Sequence, residues 1–539
     1  MILAIIVASG ISMVIPSFGT SNPDTWTFMV YLDADNDLEI YGIHDFFEMS
    51  AVGSTSYVNI VVQMDRTPGY DSSYGNWETC KRFLITYGMQ PTPANAIADI
   101  GEVNMGDPST LVDFVSWSVA NYPANHYVLD LWDHGGDWYG VCWDYSNFYD
   151  NIDMIELGSA LSQIQTDNSG LVLDILGFDT CSGGSIEVAY QVYPYAHYMI
   201  ASEHYIPDEG WNYTGPLLEL TSDPNITPAR LGDHILHYYS RFYESLKNTS
   251  EWYMLNESYT LSIVDLSVTA SLVAEIDNLG NLLFNNLDYW VNHIAIARES
   301  TEAYLGVWSE DVVDLHHFAE NLGFILPNGT IQQLSAAIIQ DIETMVLNKT
   351  QGTNPENHMV TVDHHNGMSL YFPKEGVDYD SYYNGSIGLC SFSIDTSWDD
   401  FLESYLNMLQ YGYPTVMHTS PVGTNASMFS TVEIWFSEPM DNDTLASAFS
   451  IFPSVDGNLF WNASENKLTF VPSSSLTPGE NYSINISIDA LDQQAVHLQR
   501  NYTWQFGVSG PIPEFNDLII PVLALIGLVL LIACHRRKS

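Results

Sequence analysis

The sequence predicts an α/β fold with a mainly parallel sheet flanked by helices, followed by a C-terminal β-sandwich and one transmembrane helix. First, apolar strand-like segments alternate with helical segments from Trp26 to about residue 204. Second, residues 418–508 contain short alternating segments that are separated by Pro, Gly and Asn. Third, residues 518–534 are apolar and uncharged, which is typical of a membrane-spanning segment.

Five strands are predicted in the first part of the chain, and most are separated from the next by a helix. Their nearly continuous apolar character is expected of parallel strands that helices cover on both sides. The predicted strands span residues 26–33, 58–65, 126–133, 171–179 and 196–204. The helix after the first strand has Asp35 or Asn36 in position to cap it. Further helices are predicted over residues 108–122 and 153–165.

The region between residues 225 and 410 is mixed, and we interpret it as a continuation of one domain that spans residues 24–410. Helical spacing dominates there, and two strand-like segments interrupt it. The predicted helices span residues 228–247, 267–296 and 331–347, and the predicted strands span residues 258–266 and 366–373.

The two ends of the chain predict a single-pass protein of the cell membrane. Residues 1–19 are typical of a signal peptide, although they lack the usual basic start. After the sandwich, residues 510–517 form a short stiff linker to the transmembrane segment. The basic tail at residues 535–539 predicts a cytoplasmic C-terminus, so everything before the membrane segment is expected outside the cell.

The charge balance limits the class of partner. The 539 residues include 66 acidic and 14 basic side chains, for a formal net charge of −52. Such a surface repels nucleic acids and attracts cations and basic peptides. Thirteen N-x-S/T sequons, the first at Asn212, fit an exported glycoprotein.

The cysteine count excludes a disulfide scaffold and a zinc site. The five cysteines are widely spaced, and no two have the separation of a zinc-binding pair. The sequence permits one or two bridges, for example between Cys80 and Cys142.

A cysteine and a histidine each follow a predicted strand and precede glycine-rich backbone. His134 lies in LWDHGGDW, and Cys181 lies in ILGFDTCSGG. A thiol and an imidazole at the carboxyl ends of parallel strands are placed to act as a nucleophile and its base. Taken singly, a buried structural thiol and a packed histidine are the commoner interpretations. The adjoining glycines favour the catalytic one, because they let backbone approach a ligand closely.

Three further features would support this chemistry. The backbone amides of Gly135 and Cys181 are candidates for an oxyanion hole. A helix predicted to start just after the thiol would stabilise a thiolate. Asp179 shares a strand face with Cys181, so it either binds a cationic substrate or caps the following helix.

Other polar motifs receive structural interpretations. Asp133 is expected to point away from His134, so it is not assigned as the acid of a triad. The pairs His316–His317 and His364–His365 lack a convincing third metal ligand. DADND at residues 33–37 is oxygen-rich, but it lacks the later glycine and glutamate of an EF-hand, and a helix cap explains it better. No metal site or required cofactor is assigned, and binding of calcium is left open.

These motifs resemble the clostripain family of cysteine peptidases, whose sheet architecture is shared with caspases, gingipains and legumain. The resemblance rests on six blocks in the family's order, at residues 31–39, 131–138, 176–191, 201–213, 313–322 and 366–373. It implies a caspase-like fold and a catalytic dyad of His134 and Cys181. It also implies cleavage after Arg or Lys, with Asp179 near the specificity pocket and Asp208 as a weaker candidate. Residues 434–441, 468–484 and 502–508 resemble prokaryotic Ig-like modules.

One departure from the family concerns activation. Relatives are often activated by self-cleavage at a basic residue between the dyad residues, and residues 135–180 contain no Lys or Arg. The protein therefore acts uncut, is cut elsewhere, or is cut with a different specificity.

The sequence thus predicts an extracellular, membrane-anchored cysteine endopeptidase that acts on peptides or proteins with basic residues. The main alternative is a catalytically inactive peptidase fold with an adhesive or envelope role. Metal-dependent hydrolysis through the histidine pairs is a second alternative.

Overall fold

The structure is a computed structural model that describes residues 23–247, 258–304, 311–353, 361–386, 388–498 and 500–510. The predicted signal peptide, transmembrane segment and basic tail lie outside these residues. Within the described ranges, no helix is both long and apolar enough to cross a membrane. The chain forms two compact units, of which the first comprises Met1–Leu282, His293–Lys374 and Asp380–Asp399, and the second comprises Leu283–Asn292, Glu375–Tyr379 and Asp400–Ser539.

Seven of the fourteen described strands of the first unit lie close to predicted positions, and the other seven were not predicted. In chain order they are β1 (Trp26–Ala34), β2 (Val58–Arg66), β3 (Cys80–Leu84), β4 (Ala98–Gly101), β5 (His126–Trp132), β6 (Gly140–Asp144), β7 (Asp150–Asp153), β8 (Leu173–Asp179), β9 (Ala196–Ala201), β10 (Tyr259–Asp265), β11 (Ala303–Tyr304), β12 (Val312–Asp314), β13 (Val346–Gly352) and β14 (Ser369–Tyr371). Among the described residues, nine of these strands form one sheet in the order β13-β10-β9-β8-β5-β1-β2-β3-β4.

The centre of this sheet is parallel, as predicted. The strands β9, β8, β5, β1 and β2 pair in parallel, whereas β10, β13, β3 and β4 add antiparallel edges. β1 pairs with β2 on one side and with β5 on the other, so the strand order reverses at β1. Binding sites of parallel sheets form beyond the carboxyl ends of the strands at such a reversal.

Helices cover both faces of the sheet. In chain order, the helices described up to residue 411 are α1 (Glu39–Ser50), α2 (Pro108–Asn121), α3 (Met154–Asp167), α4 (Ile186–Val192), α5 (Thr214–Ser222), α6 (Pro228–Leu246), α7 (Thr269–Phe284), α8 (Leu287–Glu299), α9 (Leu315–Ile325), α10 (Gly329–Met345), α11 (Ser391–Asp395) and α12 (Trp398–Tyr411). The buried side chains of α1, α5 and α6 share a core with Phe28, Val30 and Leu32 of β1. Tyr31, on the opposite face of β1, packs against Phe114 of α2 with ring centroids 6.0 Å apart.

Two predicted elements differ from the structure. The helix predicted over residues 267–296 is divided into α7 and α8 by a turn at Asn286, whose N–H donates to the carbonyl oxygen of Leu283 at 3.2 Å. Adjacent asparagines at this point favour a turn over helix interior. The strand predicted over residues 366–373 is confined to β14, which pairs with β12 in a separate small sheet with β11.

The second unit contains a β-sandwich, as the alternation predicted. Its strands are β15 (Val416–Ser420), β16 (Gly423–Ala426), β17 (Val432–Phe436), β18 (Phe449–Phe452), β19 (Gly457–Trp461), β20 (Lys467–Pro472), β21 (Asn481–Ile486) and β22 (Tyr502–Val508), with a short helix, α13 (Asn442–Ala448). The described strands form two four-stranded sheets, β15-β17-β20-β19 and β16-β22-β21-β18. Val432 and Phe470 of one sheet share a buried core with Ile484 and Phe506 of the other.

Candidate active site

Two neighbouring parallel strands carry the predicted cysteine and histidine just beyond their carboxyl ends. The pairing of β5 with β8 continues as far as Trp132 opposite Asp179. The N–H of Asp133 still donates to the carbonyl oxygen of Asp179 at 3.4 Å. Because paired strands advance in step, continuing this register by two residues sets His134 opposite Cys181. The structure therefore brings these two residues to one edge of the sheet.

One open cleft, with about 50 Å³ of free space, contains both residues. The two predicted substrate-binding residues, Asp179 and Asp208, line the same cleft. Its lining consists of Leu38, Trp132, Asp133, His134, Asp179, Thr180, Cys181, Ile206, Pro207, Asp208 and Gly210. All four side chains singled out for catalysis or substrate binding thus face a common space.

Cys181 differs from the other described cysteines in its access to solvent. It is half-buried, with Sγ 3.8 Å from the carbonyl oxygen of Ile206. Cys80, Cys142 and Cys390 are buried, and burial is the main cause that raises the pKa of each of these thiols, to about 12 for Cys390. No disulfide joins any two of the four described cysteines, so the bridge that the sequence permitted between Cys80 and Cys142 is absent from the described structure.

The backbone after Cys181 corrects one prediction. A helix was expected to begin directly after the thiol, but α4 begins at Ile186, and the side chain of Ser185 caps it. The N–H groups of Ser182 and Gly184 instead donate to carbonyl oxygens beyond the end of β9, at 3.0 and 2.7 Å. These residues therefore extend the sheet edge, and a helix dipole is not positioned to stabilise a thiolate at residue 181.

Gly135 lets the two strand ends approach each other. A Cβ atom at this position would lie 2.2 Å from the carbonyl oxygen of Cys181 and 2.7 Å from Oγ1 of Thr180. The glycine also pairs with Val141 in an isolated antiparallel bridge. Any larger residue here would push the backbone that bears His134 away from the backbone that bears Cys181.

The imidazole of His134 has two partners that sequence reasoning missed. Its Nε2 lies 3.0 Å from Oδ1 of Asp37, and the hydroxyl of Tyr145 donates to the same oxygen at 3.0 Å. The rings of His134 and Tyr145 are stacked at an interplanar angle of 8°. These contacts hold the half-buried imidazole in one orientation at the edge of the cleft.

The ionisation of Asp37 determines which nitrogen of His134 is available. Burial acts to raise the pKa of Asp37, but hydrogen bonds from His134 and Tyr145 outweigh it, so the pKa lies below its ordinary value. A carboxylate only accepts hydrogen bonds, so Nε2 of a neutral imidazole donates to Asp37. Nδ1 is then left as the proton acceptor.

Asp133 does not bind the ring of His134, as expected from strand geometry. Its buried carboxylate accepts from Nδ2 of Asn36 at 2.5 Å and from the N–H of Trp143. It therefore links the end of β5 to the loop after β1 and to the hairpin of β6 and β7. This is a structural role.

The buried carboxyl group of Asp179 lines the cleft. One carboxylate oxygen accepts from the N–H of Trp211 at 3.0 Å and from the hydroxyl of Tyr213 at 2.9 Å. Within the described residues, the other oxygen is buried without a hydrogen-bond partner. Burial raises the pKa of Asp179 to about 7. The alternative role as a helix cap is not observed, because Ser185 caps α4.

Two further carboxyl groups surround Asp179 and contribute to its environment. The hydroxyl oxygen of Tyr213 lies 2.6 Å from a carboxyl oxygen of Asp130 and 2.9 Å from one of Asp179, and Nε1 of Trp132 donates to Asp45 at 2.7 Å. Burial, and then the charge of Asp179, raises the pKa of both Asp45 and Asp130 well above the ordinary range. Burial and the neighbouring charge therefore disfavour the charged forms of these two groups.

The loop after β9 closes the cleft on the side of Asp179. Gly210 adopts a φ of +58°, and a Cβ there would lie 2.9 Å from the carboxylate of Asp179. Asp208 is exposed at the opening of the cleft, next to Tyr41. Burial, and then Asp208, raises the pKa of Tyr41 to about 12. Asp208 is thus less confined than Asp179, although both face the same space.

The two histidine pairs have structural partners instead of a shared metal geometry. His365 is buried and hydrogen-bonds to the carboxylate of Glu203. His317 and His364 stack with ring centroids 3.9 Å apart. His316 lies within 3.9 Å of two exposed glutamates. These contacts agree with the structural interpretation.

A half-buried cysteine and an oriented histidine at adjacent strand ends of a parallel sheet are the features of a cysteine peptidase. The sequence model of the clostripain family matches residues 30–405, which is more than half of the chain. The protein belongs to the clostripain family of cysteine endopeptidases. The sequence model of a bacterial Ig-like domain matches residues 412–508.

Individual relatives agree with this assignment. The chain is similar to clostripain of Hathewaya histolytica, with 26% identity over 420 residues that cover 67% of this chain and 77% of the relative. A secreted C11 cysteine protease from Bacteroides thetaiotaomicron superimposes with a TM-score of 0.51 and 20% identity, over 69% of this chain and 99% of that one. An inactive zymogen C11 protease from Parabacteroides distasonis gives a TM-score of 0.51 and 18% identity, over 71% and 99%.

Because the four described cysteines are buried to different extents, we expect their thiols to be alkylated at different rates. In the folded protein we expect iodoacetamide to alkylate Cys181 at least about tenfold faster than Cys80, Cys142 or Cys390, because a buried thiol with a raised pKa yields little accessible thiolate. Timed alkylation followed by peptide mass spectrometry measures the four rates. A Cys181→Ser chain is the control, and equal rates at Cys142 and Cys181 would contradict the burial pattern.

Proposed function

We propose that Cys181 is the nucleophile and His134 the general acid and base of peptide-bond hydrolysis. The observation that carries this proposal is the meeting of the two residues in one cleft, with the imidazole hydrogen-bonded to Asp37. Family membership supports a thiol mechanism. Asp37 acts as a positioning residue, because it fixes the orientation of the imidazole.

The reaction follows from the available atoms. Nδ1 of His134 takes the proton of the Cys181 thiol, and the thiolate attacks the carbonyl carbon of the substrate. The backbone amides of Gly135 and Cys181 are proposed to stabilise the resulting oxyanion. The imidazolium gives its proton to the leaving amine, and a thioester remains. Water then attacks this thioester while His134 accepts the proton from water, and the acid product leaves with the thiol restored.

We propose that the substrate carries Arg or Lys before the scissile bond. The buried carboxylate of Asp179 faces the cleft with one oxygen unpartnered among the described residues. A guanidinium or ammonium group would supply the missing hydrogen bonds and the opposite charge. Asp208, exposed at the opening, would add attraction at longer range. The net charge of −52 acts in the same direction by concentrating cationic peptides, an effect that salt weakens.

We propose that the peptidase is held outside the cell by residues 518–534, with residues 535–539 in the cytoplasm. The uncharged apolar run and its basic flank support this orientation. The sandwich would then act as a spacer between the membrane and the catalytic unit.

The catalytic proposal is tested with variants of the proposed machinery. We expect Cys181→Ala and His134→Ala to lower kcat on Arg-containing fluorogenic peptides at least about a thousandfold, because each removes a reacting group. Asp37→Asn should cause a smaller loss, since both reacting groups remain. Cys390→Ala, which removes a buried thiol outside the cleft, is the matched control. If the unaltered chain and Cys181→Ala are equally inert, the inactive-surface-protein alternative replaces the enzyme.

The substrate preference is tested through its pH dependence. The ratio of kcat/KM for an Arg substrate to that for the neutral isostere citrulline should increase with pH up to about 7 and then level off. The increase should reach at most about tenfold per pH unit, because one carboxylate must ionise to bind the cation. Both substrates depend on the same dyad, so the ratio isolates Asp179, whose pKa is about 7. Initial rates between pH 5 and 9 provide the measurement.

Two isosteric variants serve as controls for the preference. Asp179→Asn should bring the ratio close to one at every pH. Asp174→Asn, at the opposite end of β8, should keep the profile of the unaltered chain. A ratio that is independent of pH in the unaltered chain would rule out Asp179 as the specificity residue.

Membrane anchoring is tested by alkaline carbonate extraction of cell membranes. We expect the full chain to stay in the membrane pellet. Replacing Leu525 and Leu528 with Arg should release it, because two Arg residues raise the free energy of insertion by roughly 5–7 kcal/mol. Replacing the same two residues with Ala is the matched control and should retain anchoring. Release of the unaltered chain would contradict the proposed anchor.

A further inference from the structure

A loop with three aromatic side chains lies next to His134, outside the active-site cleft. The ring of Tyr145 stacks with that of His134 at a centroid distance of 6.3 Å, and the ring of Tyr149 lies 4.5 Å from that of Tyr145. Phe148 is the third aromatic residue of this loop, which joins β6 to β7. None of the three is among the residues that line the cleft. We call residues 145–149 the aromatic loop.

Folding stability does not explain the aromatic loop. Phe148 is 97% exposed and Tyr149 is 63% exposed, so the ring of Phe148 contributes almost no buried apolar surface to the fold. Both residues also have a left-handed backbone, with φ angles of +66° and +60°. This conformation is unfavourable for bulky side chains, and residues held in it are concentrated at active sites and ligand-binding sites. An exposed aromatic pair on such a backbone therefore points to a binding role.

The proposed mechanism determines which part of a substrate would reach this loop. His134 gives its proton to the leaving amine, so the residues after the scissile bond begin beside its ring. Asp179 ends β8 and Asp208 lies in the loop after β9, whereas Tyr145 binds Asp37, which follows β1. Because β9, β8, β5 and β1 are consecutive neighbours in the sheet, the acidic pocket and the aromatic loop lie on opposite sides of His134.

The spacing of the rings suits an extended peptide. Such a peptide advances by about 3.3 Å per residue. The distances from His134 to Tyr145 and from Tyr145 to Tyr149, 6.3 and 4.5 Å, are therefore each covered by one or two residues. A peptide that leaves the scissile bond at His134 brings its second or third residue to the ring of Tyr149.

We propose that the aromatic loop binds an aromatic or large apolar side chain of the substrate at the second or third position after the scissile bond. This role rests on the proposed function, because it takes His134 as the group that faces the leaving amine. Tyr149 would offer its ring to an aromatic partner. The same partner would cover Phe148 and remove its apolar surface from water. Both are specificity residues, and neither belongs to the reacting groups.

Cleavage of internally quenched peptides tests this preference. Each peptide has one Arg before the scissile bond, and Phe or Ala at the second and third positions after it. We expect kcat/KM for the Phe peptide to exceed that for the Ala peptide at least about threefold, as one aromatic contact would produce. Equal values for the two peptides would overturn the proposal.

A double variant locates the effect. Phe148→Asn combined with Tyr149→Asn removes both rings, and Asn tolerates the left-handed backbone. The Phe-to-Ala ratio should fall to about one. Cleavage of an Arg aminomethylcoumarin amide, which has no residue after the scissile bond, should stay unchanged. An unchanged ratio would overturn the proposal, and loss of the amide activity as well would indicate a role in folding and overturn it too.

The matched control replaces two aromatic residues of similar exposure outside the loop. Tyr87 is 82% exposed and Phe324 is 87% exposed. Tyr87→Asn combined with Phe324→Asn should keep the Phe-to-Ala ratio of the unaltered chain. An equal loss of the ratio in this control would show that the effect does not belong to the aromatic loop.

Binding of uncleaved peptides separates this proposal from the catalytic one. The full chain carrying Cys181→Ala is titrated with fluorescein-labelled peptides of the same sequences, and fluorescence anisotropy gives the Kd. The Phe peptide should bind at least about threefold more tightly than the Ala peptide, and the double variant should remove this difference. If the unaltered chain cleaves no peptide but this difference is observed, the catalytic proposal fails and the binding surface stands. Equal Kd values would overturn the binding surface.

Contact with a second copy of the chain is the competing use of the aromatic loop. Sedimentation velocity in one detergent compares the unaltered chain with the double variant. We expect the same sedimentation coefficient for both. A dimer that becomes a monomer on the double substitution would assign the loop to a contact between copies and overturn the proposal.

Discussion

The parallel pairing of β5 with β8 is the constraint on which the rest of the site depends. The last pair in this register is Trp132 with Asp179, so the two strands end at the same level in the sheet. His134 and Cys181 follow two residues later, so their meeting depends on this register and not on a contact between their side chains. Gly135 preserves the arrangement, because a side chain there would collide with the carbonyl group of Cys181.

A second feature of the structure is the burial of carboxyl groups in a chain with few basic residues. With 66 acidic and 14 basic residues, most carboxylates have no cationic partner within the protein. Around Asp179, burial raises the pKa of Asp45 and Asp130 well above the ordinary value, which disfavours their charged forms. At the ends of β1 and β2, burial likewise raises the pKa of Asp33 and Asp65, and one oxygen of each has no hydrogen-bond partner among the described residues. Buried carboxyl groups with an unpartnered oxygen are suited to bind positive ligands.

Local sequence patterns predicted the parallel centre of the first unit's sheet, and two of the differences between prediction and structure have identifiable causes. The strand containing residues 26–33 was predicted within one residue of β1, because apolar runs between helices signal buried strands. The start of α4 was misplaced because residues 182–184 pair with chain beyond β9, a long-range interaction without a local signal. The break at Asn286 did have a local signal, two adjacent asparagines, which the overall helical spacing obscured.

The amino-acid pattern alone was sufficient to predict the α/β class and the strand ends that bear His134 and Cys181. It also predicted the change to a sandwich near residue 418. Each of these depends on local periodicity and composition, which neighbouring residues along the chain determine. The partners of His134 and the placement of the aromatic loop beside its ring arose only on folding. Asp37 and His134 are 97 residues apart in the chain, and they meet because β1 and β5 are neighbours in the sheet. Such neighbours result from the free energy of the whole packed sheet, which no single segment encodes.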